Sequence, residues 1–406
     1  MNVRTIITSL ALILVLSPVV LTAAPALAGI TANADSAETV TNNPAGMARL
    51  QKSTGYLNPL IIYMNSKDET STSTGSVQGK TATDDSLMAL PGMYYAYPLG
   101  DTWAVGIGTY SAMGLGATFD DDWAGRYLVQ NWSLVFVGVA PSVSYRINEK
   151  LSVGGSLPVM YSRYTLEKAV VNDPPTDPDG KFELVADGWG VGWMFGILYE
   201  FTESTRLGFN YRSKVSATVE GKPDYSGLTA SREALLNTYG SLNKDISLTT
   251  STPQVVNLGI YHEFESGLSF SLDGVWVDFS EYGMEDVTIG DTEVNTASVK
   301  CQDVWAAILG VDYRLTPRWT ITSGAFYVSS PMKKEDRTAS MRLDRMYGGG
   351  LGFEYNYWKD WTVAIDLTYI QFGDQEYSSP TIPAIGEVKG KYTTNYGILL
   401  GIGLKF

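Results

Sequence analysis

The chain offers few residues for catalysis. His262 is the only histidine and Cys301 the only cysteine. One imidazole cannot form a histidine zinc site and allows one catalytic triad at most, and a lone cysteine cannot form an intramolecular disulfide. The glycines of Gly348-Gly349-Gly350 lack the Lys-Ser/Thr pair of a phosphate-binding loop. We therefore predict that the protein is not an enzyme and has no metal site and no cofactor.

The charge balance argues against nucleic acid as a partner, since 43 acidic residues face 29 basic ones. Acidic side chains cluster at Asp84-Asp85, at Asp120-Asp121-Asp122 and in the segment 172–180. These clusters fall between predicted strands, which favours solvated loop tips. Binding of divalent ions beside lipopolysaccharide is the less favoured alternative, because carboxylates suit hard cations.

The composition indicates a membrane protein crossed by strands. Aromatic residues make up 12% of the chain and charged residues only 18%, and glycines number 41. Residues 1–28 read as a signal peptide, with Arg4, an apolar run from Ile6 to Val20 and the cleavage motif Ala26-Leu27-Ala28. Later apolar runs are too short for a membrane-spanning helix, which needs about 18 residues. Only a closed β-barrel then satisfies the backbone in lipid.

Alternation of apolar and polar residues locates the strands. In the last strand one predicted face carries Tyr392, Tyr396, Ile398, Leu400, Ile402, Leu404 and Phe406. A second strand places Leu207, Phe209, Tyr211, Val215 and Val219 outward, and Arg206, Asn210, Arg212, Lys214 and Thr218 inward. The segment from Trp361 to Tyr369 alternates in the same way.

Short turns and long polar connections follow one another in strict alternation. Six short and seven long connections predict fourteen strands, with both termini in the periplasm. Trp103, Trp319 and Trp361 each follow a short turn, which predicts an aromatic girdle at one membrane interface. The predicted fold class is therefore all-β: a 14-stranded antiparallel transmembrane β-barrel over residues 51–406.

Residues 29–50 form a predicted hatch, a plug inside the barrel. Asp35 and Glu38 have the spacing of a helix N-cap and its capping partner. Asn43-Pro44 offers a second helix start, because asparagine caps well and proline suits the first helical position. We expect two short helical turns joined by a kink. Such a segment cannot bury itself and must lie against the barrel wall.

The third predicted strand, residues 102–119, is rich in glycine. Its predicted outward face carries Trp103, Val105, Ile107, Met113, Leu115 and Phe119, and its predicted inward face includes Gly106, Gly108, Gly114 and Gly116. Glycine permits a bend or a close approach of another backbone. The inward glycines indicate either room for the hatch or an opening in the wall.

A long loop contains a predicted helix over residues 231–242. Leu235, Leu236, Tyr239 and Leu242 cluster on one side of this helix. The helix either caps the barrel or presents an apolar groove that captures a ligand, and the sequence supports both interpretations equally.

Several motifs resemble those of the FadL-type outer-membrane transporters, a family of importers of long-chain fatty acids and aromatic hydrocarbons. DSAETVTNNPAGMARL resembles the hatch of that family, and VGIGTYSAMGLGATFDDDWAGRY resembles its third strand and following loop. RLGFNYRSKVSATVEGK, PQVVNLGIYHEF, SLDGVWVDFSEYG and DRMYGGGLGFEYNYWKDWTVAIDLTY resemble its later strands in the same order. The resemblance covers nearly the whole mature chain.

The resemblance implies a mechanism. A hydrophobic ligand is captured at the extracellular loops, binds in the lumen and leaves sideways through a kink in the third strand, with the hatch as gate. The hatch motif transfers to Asn42, Asn43, Pro44, Ala45 and Gly46, and the lateral opening to Gly106, Gly108, Gly114 and Gly116. Arg206, Arg212 and Lys214 are candidates for a ligand carboxylate, or are lumen charges paired with carboxylates of the hatch or wall.

The predicted location is the outer membrane of a Gram-negative bacterium. The predicted partners are a hydrophobic small molecule, outer-membrane lipid, lipopolysaccharide, and the barrel-assembly machinery, which recognises a last strand that ends at a residue such as Phe406. Two other functions fit a barrel of this kind: a surface adhesin or receptor without transport, and a general porin. A plug in the lumen speaks against the porin.

Overall fold

The structure is a computed structural model, which describes residues 30–72, 82–173, 177–238, 242, 244–282, 284–290, 292–293, 300–337, 344–358, 360–373, 375–378 and 386–406. The predicted signal peptide (residues 1–28), Gly29 and Tyr239 lie outside this part of the chain.

Twenty-three antiparallel strand segments form one sheet. They are β1 (Thr54–Leu57), β2 (Leu60–Thr72), β3 (Ala82–Leu90), β4 (Met93–Leu99), β5 (Trp103–Thr118), β6 (Asn131–Arg146), β7 (Leu151–Ser156), β8 (Val159–Val170), β9 (Gly180–Val191), β10 (Met194–Thr202), β11 (Thr205–Arg212), β12 (Val215–Ser226), β13 (Ile246–Thr252), β14 (Val255–Glu263), β15 (Leu268–Val277), β16 (Met284–Ile289), β17 (Thr292–Glu293), β18 (Val304–Arg314), β19 (Trp319–Val328), β20 (Met346–Trp358), β21 (Trp361–Phe372), β22 (Gln375–Ser378) and β23 (Val388–Lys405).

These segments join end to end into fourteen barrel strands, and the last strand closes the barrel. β23 pairs with β21 on one side and with β2 on the other, so the sheet closes on itself. The predicted fold class is confirmed. A closed sheet is the form in which strands cross a bilayer without leaving backbone groups unpaired.

Short turns lie at one end of the barrel, the turn end, and the long connections lie at the other, the loop end. The start of β1 and the C-terminal residue meet at the turn end, where Phe406 N–H donates to Gly55 O at 2.9 Å. Trp103, Trp319 and Trp361 are about half exposed there and pack against Tyr145, Tyr355 and Phe406. The predicted aromatic girdle is confirmed.

Some strands are interrupted, and an interruption can invert the side-chain pattern beyond it. Between β11 and β12, Arg212 and Val215 are both buried although two residues lie between them, a spacing that would put them on opposite faces of an uninterrupted strand. Val215 and Val219 therefore face inward, and their predicted outward position is wrong. Lys214 lies in the interruption rather than at an inward ladder position, which is a second correction.

A similar irregularity occurs in β23, where Lys67 pairs with Thr394 and Asp68 pairs with Tyr392. One residue of β23 is thus left unpaired, which is a β-bulge. The Tyr392 side chain is buried beside Tyr377, with ring centroids 5.5 Å apart. The prediction that Tyr392 shares the outward face of Ile398 and Ile402 is therefore wrong.

The inner face of the barrel changes character along its length. In β15 the buried residues near the turn end are Ser269, Ser271 and Asp273, and those farther along are Val275 and Val277. The same change recurs around the barrel. Apolar inward side chains of the loop half form one buried cluster that includes Ile62, Met64, Leu134, Phe136, Met160, Leu184, Val219, Leu248, Ile308, Val328, Ile370 and Leu399.

Five helices complete the described structure: α1 (Thr39–Asn42), α2 (Ala230–Thr238) and 3₁₀ helices at Pro44–Arg49, Phe279–Glu281 and Lys334–Asp336. The predicted cap at Asn43 is confirmed, since its side chain accepts from Ala45 N–H at 3.2 Å with Pro44 following. The predicted cap at Asp35 is wrong, because Ser36 Oγ accepts from Glu38 N–H instead. Within the described residues, no helix is both long and apolar enough to cross a membrane.

Candidate functional site

The N-terminal segment, residues 30–50, lies inside the turn half of the barrel. Val40, Ala45 and Met47 are fully buried. Two serines of β6 fix its path: Ser142 Oγ donates to Val40 O at 3.0 Å, and Ser144 Oγ donates to Ala45 O at 3.2 Å. The segment is therefore hydrogen-bonded to the wall, and it occupies the half of the lumen whose inner face is polar.

Asn43 is the centre of these contacts. Its Nδ2–H₂ donates to Thr31 O at 2.9 Å and to Ile197 O of β10 at 3.1 Å, while its Oδ1 caps the following 3₁₀ helix. The residue is 1% exposed. A single buried side-chain amide thus links the kink at Asn43 to the start of the segment and to the barrel wall. Its loss would leave two buried carbonyl groups without hydrogen-bond donors.

Glycines of the wall let this segment approach closely. A Cβ added at Gly154 of β7 would collide with Pro44 and Ala45, one added at Gly196 of β10 with Asn43, and one added at Gly208 of β11 with Thr31. We call Gly154, Gly196 and Gly208 the glycine platform. These three glycines are not among the site residues predicted from the sequence. The sequence feature that could have identified them is a glycine at an inward position in each of three strands.

Two of the predicted cationic candidates contact the N-terminal segment. Arg206 is 2% exposed and donates to both carboxylate oxygens of Asp35, at 2.8 Å and 3.4 Å, with its guanidinium over the Tyr261 ring. Arg49 also pairs with Asp35 and with Glu200 of β10. Arg212 donates to Thr41 O at 3.0 Å. In this conformation the inward arginines hold the segment.

A polar cavity of about 340 Å³ lies between the N-terminal segment and the opposite wall. Its charged lining residues are Asp35, Glu38, Glu263, Asp312, Arg314, Glu354 and Lys405. Burial raises the pKa of Glu38 to about 7, although Lys405 and a hydrogen bond from Ser36 act in the opposite direction. The Glu38 carboxyl group, which lines the cavity, therefore has a pKa near neutral pH.

The four glycines predicted for a lateral opening lie in two different environments. A Cβ at Gly106 would lie 2.6 Å from Val40 Cγ2, and one at Gly108 would lie 3.1 Å from Thr41 Cγ2. These two glycines make room for the N-terminal segment. Gly114 and Gly116 lie beyond a bulge at Ala112, where the register with β6 shifts.

Beyond that bulge Gly114 pairs with Val135 and Gly116 with Ser133, whereas the inward residues of β6 are Leu134 and Phe136. Paired residues of neighbouring strands face the same side of a sheet. Gly114 and Gly116 therefore face outward, and the prediction that they share the inward face of Gly106 and Gly108 is wrong.

The same part of β5 lacks a neighbour on one side. Residues 103–108 pair with β4, but within the described residues no ladder joins residues 109–118 to β3, which pairs with β2. The Thr109 hydroxyl closes the turn end of this gap: Met93 N–H donates to Thr109 Oγ1 at 2.9 Å, and that hydroxyl donates to Pro91 O at 3.2 Å. We call the gap between β3 and residues 109–118 the slot.

The predicted capture residues lie at the loop end. Leu235 is 40% exposed on α2, a helix without buried residues, and Leu236 and Leu242 are partly buried. Tyr239 falls outside the described residues, so the predicted cluster of four stays a prediction.

The residues first considered for catalysis lie in the wall or in a connection. His262 Nδ1 lies 2.8 Å from Thr205 Oγ1 of the neighbouring strand, and its ring packs edge-on against Phe264. Cys301 is a free thiol just before β18, and burial raises its pKa to about 12. Among the described residues, no three His, Cys, Asp or Glu side chains are grouped to hold a metal ion.

Comparisons with known proteins agree with this architecture. Residues 16–406 match the sequence profile of a family described as outer membrane protein transport protein (OMPP1/FadL/TodX). The chain is 24% identical over 348 residues to the long-chain fatty acid transport protein of Escherichia coli, which covers 78% of this chain and 77% of that protein.

Two solved structures share the fold. A FadL homologue from Pseudomonas aeruginosa superposes with a TM-score of 0.84 at 17% identity, covering 98% of this chain and 99% of that one. The toluene transporter TbuX of Ralstonia pickettii gives a TM-score of 0.65 at 18% identity, covering 96% and 97%.

Proposed function

This chain belongs to the OMPP1/FadL/TodX family of outer-membrane transport proteins, and from that premise we propose that it imports hydrophobic small molecules by passive diffusion. The ligand class is that named for its relatives, long-chain fatty acids or aromatic compounds such as toluene. The turn end is the periplasmic end, and residues 29–50 act as the hatch.

One observation carries the proposal: among the described residues, residues 109–118 of β5 have a registered neighbour on one side only. The hatch occupies the turn half of the lumen beside the polar cavity and is hydrogen-bonded to the wall, so it obstructs the path of a ligand from the loop half to the periplasm. The slot leads sideways into the bilayer. Lateral release spares an apolar molecule exposure to water, which costs roughly 25 cal/mol for each Å² of apolar surface.

The loop half suits an apolar ligand, since its buried inner face is one apolar cluster. The ligand is captured among the extracellular loops, where Leu235, Leu236 and Leu242 are candidates, and then moves along this apolar face. A carboxylate head group would have to compete with Asp35 for Arg206. Such competition would also release the hatch, because Asp35 is one of its links to the wall.

The slot is tested by deleting Ala112, the bulge residue of β5. Removing it restores side-chain alternation along β5 and lets the strand pair with β3. We expect initial uptake of radiolabelled toluene and oleate by cells to fall at least about tenfold. This fall corresponds to an increase of about 1.4 kcal/mol or more in the activation free energy of the rate-limiting step. Deleting Asp121, in the exposed loop after β5, is the matched control.

A second variant, Gly114→Trp, places a bulky side chain on the outer face of β5 beside the slot while leaving the chain length unchanged. Heat-modifiable migration on SDS gels confirms that each barrel is assembled. Normal uptake by both folded slot variants would contradict lateral release. Current through planar bilayers separates the alternatives, since a large steady conductance would indicate a porin.

A further inference from the structure

The loop that follows β5 folds back over the barrel interior. Phe119 and Trp123 stack with ring centroids 3.8 Å apart and planes 7° from parallel, and both are buried. A Cβ at Gly125 would lie within 2.7 Å of the Trp123 ring, so only glycine lets the indole turn onto its own loop. The position of the indole is thus specified by the local sequence.

The indole is hydrogen-bonded to a strand that is not adjacent to β5. Trp123 Nε1–H donates to Thr70 Oγ1 of β2 at 2.9 Å. Thr70 Oγ1 in turn donates to Asp68 Oδ2 at 2.8 Å, and Tyr377 Oη donates to the same oxygen at 2.7 Å. The loop after β5 is therefore connected through Thr70 to a buried polar group in β2 and β22.

The connection spans the loop end of the slot. The ladder between β2 and β3 reaches Asp68, which pairs with Ala82 at the first residue of β3, so Thr70 lies beyond that end of β3. Phe119 directly follows the last residue of β5. A link from Trp123 to Thr70 therefore passes over the end of β3, opposite the end that Thr109 closes.

A separate set of contacts holds the other side of this loop. Arg126 pairs with Asp179 at 2.8 Å, and Tyr127 Oη donates to Asp179 Oδ1 at 2.7 Å. Asp179 precedes β9, away from β2 and β3. The loop thus has one anchor across the slot and one anchor away from it, and the two can be broken separately.

We propose that Trp123 and Thr70 form a latch that closes the loop end of the slot and sets the largest ligand that leaves through it. The proposal rests on lateral release as the proposed function. Trp123 is a positioning residue: together with Thr109 it fixes the length of the opening. Breaking the latch lengthens the slot and admits larger apolar molecules, whereas a small aromatic molecule passes in either state.

The test compares two neutral probes, radiolabelled toluene and the larger pyrene. Thr70→Val removes the acceptor of the indole N–H with little change in shape, and Trp123→Phe removes the donor. We expect each variant to raise pyrene uptake at least about threefold relative to toluene uptake. The double variant should change the ratio no more than either single variant, because both remove the same hydrogen bond.

Two controls separate a latch from a general loosening of the loop. Thr70→Ser keeps a hydroxyl and should restore the original probe ratio. Tyr127→Phe removes one of the two contacts that anchor the loop at Asp179 and should leave the ratio unchanged. An unchanged ratio in both Thr70→Val and Trp123→Phe would overturn the latch, and so would an equal change in Tyr127→Phe.

The outcome also separates this inference from the function on which it depends. If the Ala112 deletion and Gly114→Trp abolish uptake while the latch variants leave the probe ratio unchanged, only the latch is wrong. If the slot variants leave uptake of both probes normal, lateral release itself is wrong, and a changed ratio in the latch variants would then have another origin.

Discussion

Residues 103–108 of β5 pair in register with β4 and with β6, whereas residues 109–118 have a ladder only with β6 among the described residues. Both halves contain glycines at alternate positions. In the first half, Gly106 and Gly108 face inward and receive the hatch. In the second half, Gly114 and Gly116 face outward beside the slot.

The comparison shows that a glycine-rich strand has no single meaning. An inward glycine on a fully paired strand makes room for another segment, while an outward glycine beyond a bulge belongs to a strand that has lost a neighbour. Room for the hatch thus describes the first half of β5. The second half lacks a ladder on one side among the described residues, and an opening in the wall there stays a prediction.

Gly106→Leu should produce the largest effect and tests the first half directly. A Cβ at this position already lies 2.6 Å from Val40 and 2.7 Å from Met47 Sδ, so a leucine cannot share the site with the docked hatch. Overpacking of this kind costs about 3 kcal/mol or more. We expect amide exchange of residues 39–47, measured by mass spectrometry, to rise more than about a hundredfold.

Gly116→Leu is the matched control in the second half of β5. Because Gly116 faces outward, exchange of residues 39–47 should stay within about twofold of the parent. Equal exposure of the hatch in both variants would break the distinction between the two halves.

Much of the fold was predictable because its signals are local. Alternation, turn spacing and the tryptophans after short turns gave the strand number and the girdle, and Asn43-Pro44 gave the start of the 3₁₀ helix. The failures share one cause. At Ala112, at Lys214 and near Tyr392 an extra or interrupting residue inverts every side chain beyond it, and a sequence pattern does not mark that residue.

The candidate site was predicted less completely, since it depends on distant contacts. The hatch motif and Arg206 were identified, but Asp35 and Arg206 lie 171 positions apart, and nothing in either local sequence pairs them. The glycine platform lies on three strands for the same reason. Strand order and register decide which inward positions face the hatch, and neither can be read from the local sequence.

Asn43→Ala should have the next largest effect, again on the docked hatch. It removes the donors to Thr31 O and Ile197 O and the helix cap at Ala45. Lost caps and unsatisfied buried carbonyls cost about 2 kcal/mol together. Exchange of residues 39–47 should rise about thirtyfold, and limited proteolysis should cut the hatch first. Asn42→Ala, whose side chain lines the cavity, should change little.

Thr109→Val tests the boundary between the two halves. The variant loses the acceptor for Met93 N–H and the donor to Pro91 O, a loss of about 1 kcal/mol. The turn end of the slot should loosen, so exchange of the Met93 amide should accelerate about fivefold while exchange of the hatch is unchanged. Thr118→Val, at the opposite end of β5, is the control. An effect on the hatch as large as that of Asn43→Ala would show that the halves are coupled.

The last effect expected is a dependence on pH that acts on the hatch and not on the slot. Glu38 has its pKa raised by burial from 4.5 to about 7, so the docked hatch binds more protons than the free one. Docking is therefore strongest below pH 4.5, weakens as the pH rises toward 7 and changes little above it. Glu38→Gln should abolish this slope in the exchange of residues 39–47 between pH 5 and 8, after correction for intrinsic exchange. Exchange of the Met93 amide should not depend on pH in this way in either protein. A pH dependence at Met93 that disappears with Glu38→Gln would mean that the hatch and the slot respond as one unit.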